Sequence, residues 1–386
     1  MALLEKVLVE VRAHDAGEPA SYIPELAAVD PELLSFGVVG PRGRVMTVGD
    51  DSAEFTIQSM SKPFVLALAL QALGREAVLA RVGAEPSGEP FNAISLEAGT
   101  GRPANPLVNA GAIATTALIA GGDIDERTGR IVAMMSEFAG RSLWVDEAVY
   151  ASESVTGDRN RALAHLLKSY GIIDGPVHDA VETYFRQCSV LVTVRDLAVM
   201  AATLAFGGVN PVTRERVVSE RVARDVTSLM ASCGMYDFSG EWMLRVGLPA
   251  KSGVSGGVMA VATSQFGVAA FSPRLDVHGN SVRASAIVET LSDRFGMHLF
   301  EPHESIAEPG ISVEQTAAGP LVRLGGELGF AGAERVLSLL REVAAAAPNA
   351  ALITVDAAEL ARTHPAAAMV LRTEIESLAP RVRLLE

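Results

Sequence analysis

Ser59-Met60-Ser61-Lys62-Pro63-Phe64-Val65-Leu66-Ala67-Leu68-Ala69-Leu70 is the stretch from which the architecture of this chain can be read. It sets a Ser-x-x-Lys in front of a run that carries no charge and is apolar all round, the pattern of a helix buried in a core rather than lying on a surface. Pro63 suits the first helical turn, where its missing N–H bonds nothing. Residues three apart on a helix share a face, so Lys62 comes to lie beside Ser59. A serine hydroxyl is a poor nucleophile at neutral pH and needs an adjacent base. Lysine becomes that base when burial destabilises its ammonium. The duller reading is a serine capping a helix beside an exposed lysine.

A second motif, Lys251-Ser252-Gly253, weighs against the duller reading, because these motifs take up two of the chain's four lysines. It runs through Val254-Ser255-Gly256-Gly257 into Val258–Thr263, which reads as a strand, and Phe266–Phe271 reads as its antiparallel neighbour. A nucleophile with its lysine early, and a Lys-Ser-Gly strand late, describe a serine acyl-transfer site with an oxyanion wall. Glycines on such a strand let a substrate approach the backbone, although a plain glycine-rich turn would use them too.

Composition narrows the class. The chain has 386 residues, 49% hydrophobic and 20% charged, which is enough apolar surface for a large core and too much for disorder. A net charge of −14 argues against a nucleic-acid or anionic-membrane surface, so neither is expected as a partner. No window reaches the roughly 18 apolar residues of a membrane span, and the first residues do not read as a signal peptide. Cys188 and Cys233 have no metal-ligand spacing and cannot form a disulfide framework. The expectation is a cytoplasmic protein without metal or cofactor.

The order of elements gives the fold class. Phe36–Val39 and Arg44–Val48 read as a hairpin around Pro41-Arg42-Gly43. Helical patterns follow over Gly129–Phe138, Arg161–Tyr170, Thr193–Phe206 and Glu215–Ala231, the third opened by a Thr193-x-x-Asp196 capping pattern. A hairpin before and strands after a helical insert predict an α+β fold: an antiparallel sheet flanked by helices, with a helical subdomain and the site between the two lobes. Glu301–Gly310 reads as a linker. Beyond it, strands at Leu321–Leu324, Ala351–Val355 and near Val382 alternate with helices at Glu334–Ala345 and Pro365–Leu378, a small α/β domain. The expected division is 1–305 and 311–386.

With these residues in view, the chain resembles the bacterial and mitochondrial glutaminase family of serine-dependent, β-lactamase-like enzymes. The resemblance covers roughly residues 5 to 300. It runs through Tyr22-Ile23-Pro24-Glu25-Leu26, Gln58-Ser59-x-Ser61-Lys62, Glu85-Pro86-Ser87-Gly88, Asn105-Pro106-x-Val108-Asn109-Ala110-Gly111-Ala112, Gly157-Asp158-Arg159-Asn160, Cys233–Gly240 and Leu248–Val254. It implies hydrolysis of L-glutamine to L-glutamate and ammonia, with Ser59 as nucleophile, Lys62 as base, and the backbone N–H groups of Ser59 and Val254 as the oxyanion hole. Tyr236 or Tyr184 would relay the proton to departing ammonia, with Tyr236 taken as the catalytic residue. Tyr22, Asn109, Glu153, Asn160 and Tyr184 resemble the positions that hold the amino-acid head group. A zwitterionic ligand calls for such a set, a carboxylate for the ammonium and neutral donors for the α-carboxylate. Taken singly, Asn109 and Asn160 would also serve as helix caps, Glu153 as a solvated acid and the tyrosines as core aromatics.

Leu321-Val322-Arg323-Leu324-Gly325-Gly326-Glu327-Leu328 and the alternation after it resemble a STAS domain, which implies a docking role and a protein partner. The loop expected after Asp356 lacks the Asp-Ser-Ser/Thr-Gly pattern of the phosphorylated members. The family resemblance also implies a homo-oligomer. Two other readings stand beside the leading one: another serine acylase of the β-lactamase-like class, and a non-catalytic glutamine sensor.

Overall fold

The computed structural model describes residues 2–89, 93–301, 310–346, 352–378 and 381–385, so most of the expected linker and residue 351 lie outside the described residues. The chain divides into two compact units, Met1–Thr290 and Leu291–Glu386.

In the first unit, α1 (Ala2–Arg12) and α2 (Pro24–Ala27) precede the hairpin of β1 (Ser35–Val39) and β2 (Val45–Gly49). The late strands are β5 (Ala250–Ser252), β6 (Gly257–Ala262) and β7 (Phe266–Phe271), after a small pair formed by β3 (Phe55–Thr56) and β4 (Leu191–Val192). The sheet order is β2-β1-β7-β6-β5, antiparallel throughout, so the N-terminal hairpin joins the C-terminal strands as the pattern requires. Ser35 pairs with Phe271 and Val39 with Gly267. All of β1, β6 and β7 is buried, which is why these strands read as continuous apolar runs without alternation.

Between the two halves of the sheet lie α3 (Lys62–Leu73), α4 (Arg75–Leu79), α5 (Asn109–Ala117), α6 (Ile124–Ala139), α7 (Glu147–Thr156), α8 (Asp158–Ser169), α9 (Val177–Cys188), α10 (Val194–Ala205), α11 (Glu220–Cys233) and α12 (Ser239–Arg245), with α13 (Val282–Phe295) after β7. The expected capping box is present: Thr193 accepts from the Asp196 N–H and Asp196 accepts from the Thr193 N–H. Asp196 also takes a bidentate pair from Arg141. The helix this box opens, α10, packs on β1, β2, β6 and β7. It comes close because Gly267 has no side chain. A Cβ there would sit 2.0 Å from the Ala202 nitrogen and 2.4 Å from the Ala198 carbonyl oxygen.

One expectation is corrected here. The helix read from Glu215 begins at Glu220, because Ser219 caps it and Arg216 bridges back to Val209. Helices α5, α7 and α9 fall in the stretch from about Pro106 to Ser232 that the pattern gives as helical without giving them bounds of their own, and α13 lies outside it. Val177, Val181, Thr183 and Tyr184 of α9 favour strands by propensity, and packing on α5, α6 and α8 overrides that preference.

In the second unit, β8 (Gly310–Thr316), β9 (Gly319–Leu328), β10 (Ile353–Thr363) and β11 (Val382–Leu385) form a sheet of order β11-β10-β9-β8. β10 runs parallel to β9 and β11, whereas β8 is antiparallel to β9. With α14 (Phe330–Ala346) and α15 (Pro365–Leu378) it encloses a core of Val322, Leu324, Val336, Leu340, Ile353, Val355 and Leu371. β8 escaped the sequence reading because it is a largely exposed edge with no buried face. The loop expected after Asp356 is strand. Ala357-Ala358-Glu359 are weak strand formers, yet Glu359 pairs with Gly325 across an irregularity in the ladder.

Candidate active site

A 3-10 turn over Gln58–Ser61 runs directly into α3 and packs against β5, β6 and α9. Gln58 has φ +47°, in the left-handed region that costs a residue with a side chain free energy. Backbone strain of this kind, immediately before a buried serine, is characteristic of functional positions. Ser59, only 6% exposed, follows it.

Lys62 is the first residue of α3 and is fully buried. Its Nζ donates to the Asn109 Oδ1 at 2.8 Å and to the Leu107 carbonyl at 3.3 Å. Burial lowers its pKa to about 8, partly opposed by Cys188. A neutral amine has two N–H bonds and one lone pair. In that form both hydrogens are taken by these oxygen acceptors, and the lone pair is left to accept a proton.

Tyr236 opens a second 3-10 turn (Tyr236–Phe238) and also has a positive φ, +59°. Its hydroxyl donates to the Ser252 carbonyl at 3.0 Å and is hydrogen-bonded to Ser59 as well. Because the phenol proton is directed at Ser252, the Ser59 hydroxyl is the donor in that second bond. Burial raises the Tyr236 pKa, so the phenol stays protonated and is a poor base. Lys62 is therefore the better candidate for removing the Ser59 proton.

The head-group candidates converge in two linked clusters. In the first, the Tyr22 hydroxyl donates to Glu153 Oε1 at 2.8 Å and is 3.2 Å from Gln58 Oε1. Glu153, on α7, is buried, and burial raises its carboxyl pKa while the bonds from Tyr22 and Gln58 oppose the rise. The Tyr22 residue keeps 45% of its surface exposed even though its hydroxyl points at Glu153. Burial of that hydroxyl, then the Glu153 charge, holds its pKa well above the phenol range. In the second cluster, Asn109 at the start of α5 gives its Nδ2 to Asn160 Oδ1 of α8 at 3.1 Å and accepts the Tyr184 hydroxyl from α9 at 3.2 Å. The Asn109 oxygen that takes the Tyr184 proton is the same one that holds Lys62, so the head-group cluster and the base share an atom.

Val254 follows β5 in a tight turn in which the Gly253 N–H donates to the Gly257 carbonyl at 2.9 Å. It packs with Ile23, Leu26 and Val149, fastening this turn to the Tyr22 segment and to the helix that carries Glu153. Every residue singled out from the sequence thus lies in this region or is linked to it by a described contact. Two further residues, Gln58 and Lys251, take part in this region. Gln58 stands next to Ser59 in the quoted motif and was legible there. Lys251 was legible as part of Lys-Ser-Gly, but its proximity to Tyr236 was not. Cys188, whose thiol is pushed up to about 12 by burial, borders Tyr184 and Ser61 and serves as a neutral wall.

The sequence model of the family described as glutaminase matches residues 17–300. A glutaminase from Trichormus variabilis is 54% identical over 285 residues, covering 74% of this chain and 85% of the relative. Among solved structures, Mglu in its glutamate form is 39% identical with a TM-score of 0.76, covering 100% of this chain and 98% of that one. A probable glutaminase from Bacillus subtilis complexed with 6-diazo-5-oxo-L-norleucine is 32% identical with a TM-score of 0.72, covering 78% of this chain and 96% of that one.

Proposed function

This chain belongs to the glutaminase family and hydrolyses L-glutamine to L-glutamate and ammonia, and we propose that it does so through an acyl-enzyme on Ser59 with Lys62 as general base. The observation that carries this mechanism is the Lys62 amine, buried, depressed to about 8 and donating to two carbonyl oxygens, so that its neutral form keeps a lone pair for the Ser59 proton. The Ser59 proton passes to Lys62 as Oγ attacks the side-chain amide carbon. The backbone N–H groups of Ser59 and Val254 receive the charge that develops on oxygen. As the C–N bond breaks, Tyr236 gives its proton to nitrogen and recovers one from the Lys62 ammonium, and ammonia leaves. Water then attacks the ester as Lys62 takes its proton, the acyl C–Oγ bond breaks, Lys62 returns that proton to Ser59 Oγ, and L-glutamate leaves. Glu153 is the counter-charge for the α-ammonium, with Tyr22 holding its carboxylate. Asn109, Asn160 and Tyr184 supply the neutral donors for the α-carboxylate.

The test is ammonia release from L-glutamine by wild type beside Ser59→Ala. Loss of turnover with glutamine binding retained by calorimetry is the expected outcome. Substantial residual turnover removes Ser59 as nucleophile, and absence of turnover in wild type, with binding, favours the sensor reading.

Residues 1–305 form the catalytic domain and 311–386 a STAS-like docking module for a protein partner, supported by the parallel β9-β10-β11 core with two helices. A homo-oligomer is proposed from the family resemblance. No helix among the described residues is long and apolar enough to cross a membrane. Two buried free thiols, Cys188 and Cys233, suit a reducing cytoplasm.

A further inference from the structure

Glu182 is a buried carboxylate on α9 to which the mechanism above gives no task. Its Oε2 accepts the Tyr150 hydroxyl at 2.9 Å and the Ser154 hydroxyl at 2.9 Å, both from α7, and its Oε1 accepts Arg161 Nη2 of α8 at 2.7 Å. Arg161 also turns back on α7, donating through Nη1 to the Ser154 carbonyl at 2.6 Å and through Nη2 to the Ser154 Oγ at 3.1 Å. One carboxylate therefore ties together α7, α8 and α9, the helices that carry Glu153, Asn160 and Tyr184.

The spacing makes this tie a clamp on those three residues. Tyr150 and Ser154 are four apart and share a face of α7, so their bonds to one oxygen fix the rotation of that helix about its axis. Glu153 immediately precedes Ser154 and takes its direction from that rotation. Asn160 immediately precedes Arg161 on α8. Tyr184 lies two residues beyond Glu182, about 200° round the helix, so α9 turns Glu182 towards α7 and α8 while Tyr184 reaches Asn109 on α5. The junction of α7 and α8 is closed by the same helix. The Arg161 guanidinium carbon lies 5.3 Å from the centre of the Phe185 ring, and a Cβ on Gly157 would sit 2.1 Å from the Phe185 Cζ.

We infer that Glu182 is a positioning residue for the amino-acid head group, setting Glu153, Asn160 and Tyr184 at the mutual distances that a zwitterion requires. The inference rests on the reading of those three as head-group residues. An ionised carboxylate only accepts, and its two oxygens suit three donors. A glutamine in its place has one acceptor oxygen, and whichever helix that oxygen serves, the amide hydrogens face a donor on the other. Among the described residues, the hydrogen bonds of Glu182 run to Tyr150, Ser154 and Arg161 and not to Ser59, Lys62 or Tyr236. Its loss should therefore reach binding of the head group before the chemistry at the amide.

Glu182→Gln is expected to raise the KM for L-glutamine, and the Kd of the product L-glutamate read by calorimetry, each about five- to twentyfold, with kcat within about threefold of wild type. Arg161→Met, at a partly exposed side chain, removes the α8 arm and is expected to raise both by a smaller factor; it stands in for Glu182→Gln should that variant fail to fold. The double variant should bind within about twofold of Glu182→Gln alone, because both changes break the same bond. A fall in kcat as large as the rise in KM, a lowered melting temperature with KM and Kd at wild-type values, or additive losses in the double variant would be the mark of a merely structural carboxylate and overturn the inference. Glu153→Gln is the control. If it raises KM and Kd while Glu182→Gln and Arg161→Met do not, only the role of Glu182 fails. If Glu153→Gln leaves both unchanged, the head-group reading fails and takes this inference with it.

Discussion

Replacing Lys62 by methionine should stabilise the first unit at neutral pH while abolishing turnover. Methionine keeps the length and apolar stem of lysine and removes the titrating nitrogen. Lys62 is fully buried, with a pKa lowered from 10.5 to about 8. A lysine depressed in the folded state binds fewer protons there than in the unfolded chain, so wild-type stability rises with pH across the window from 8 to 10.5. At about 1.4 kcal/mol per pKa unit, burial of this amine costs about 3 kcal/mol at pH 7 and about 1.4 kcal/mol at pH 9.5. Methionine escapes that cost but leaves the Leu107 carbonyl and the Asn109 Oδ1 without the lysine donor, a loss of about 1 to 2 kcal/mol in total, moderated because Tyr184 still donates to Asn109. The variant should therefore be more stable by about 1 to 2 kcal/mol at pH 7, with the advantage gone near pH 9.5. Urea unfolding followed by tryptophan fluorescence measures this, because Trp144 and Trp242 both lie in the first unit. The change of about 2 kcal/mol between the two pH values is the diagnostic quantity, since all other groups are common to both proteins. A variant less stable at pH 7, or a difference that does not move with pH, would refute a lysine depressed by burial and with it the general-base assignment.

Two further outcomes follow from the same groups. For wild type, kcat/KM should rise about tenfold per pH unit on the acid side and level off near about pH 8, as Lys62 loses its proton; a flat profile contradicts the assignment. Glu153→Gln should raise the KM for L-glutamine about 10- to 100-fold by removing the counter-charge of the α-ammonium, with a smaller effect on kcat. In wild type the KM should climb as pH falls through the raised Glu153 pKa, because the protonated carboxyl has no charge to offer, and this dependence should vanish in the variant; an unchanged KM would take Glu153 out of the head-group site.

The legible part of the site is the part written in local motifs. Ser59 lies in the 3-10 turn that runs into α3 and Lys62, three residues on, is the first residue of that helix, so local backbone geometry brings them close. The strands after Lys251 announce themselves because both faces are buried and the run is continuously apolar. The exposed edge strand β8 has no such signature, and α9 carries strand-forming residues that only its packing makes helical. The end of β10 was misplaced for a related reason. Pairing with β9 holds Glu359 and Leu360 in a strand their own propensities do not favour.

What the sequence by itself determined is the chemical class: the nucleophile, its lysine, the late Lys-Ser-Gly strand and the order of elements that makes an antiparallel sheet with a helical insert. Its quoted stretches also named the head-group residues through their resemblance to a family. What only the tertiary structure decided is how these groups are wired. The single Asn109 oxygen that serves both Lys62 and Tyr184, and the single Ser252 carbonyl that serves both Lys251 and Tyr236, join residues from separate segments of the chain. Sequence patterns record what each segment buries, because burial is a property of one residue and its period. A shared hydrogen-bond acceptor is a property of three residues brought together, and it exists only once the elements that carry them have packed.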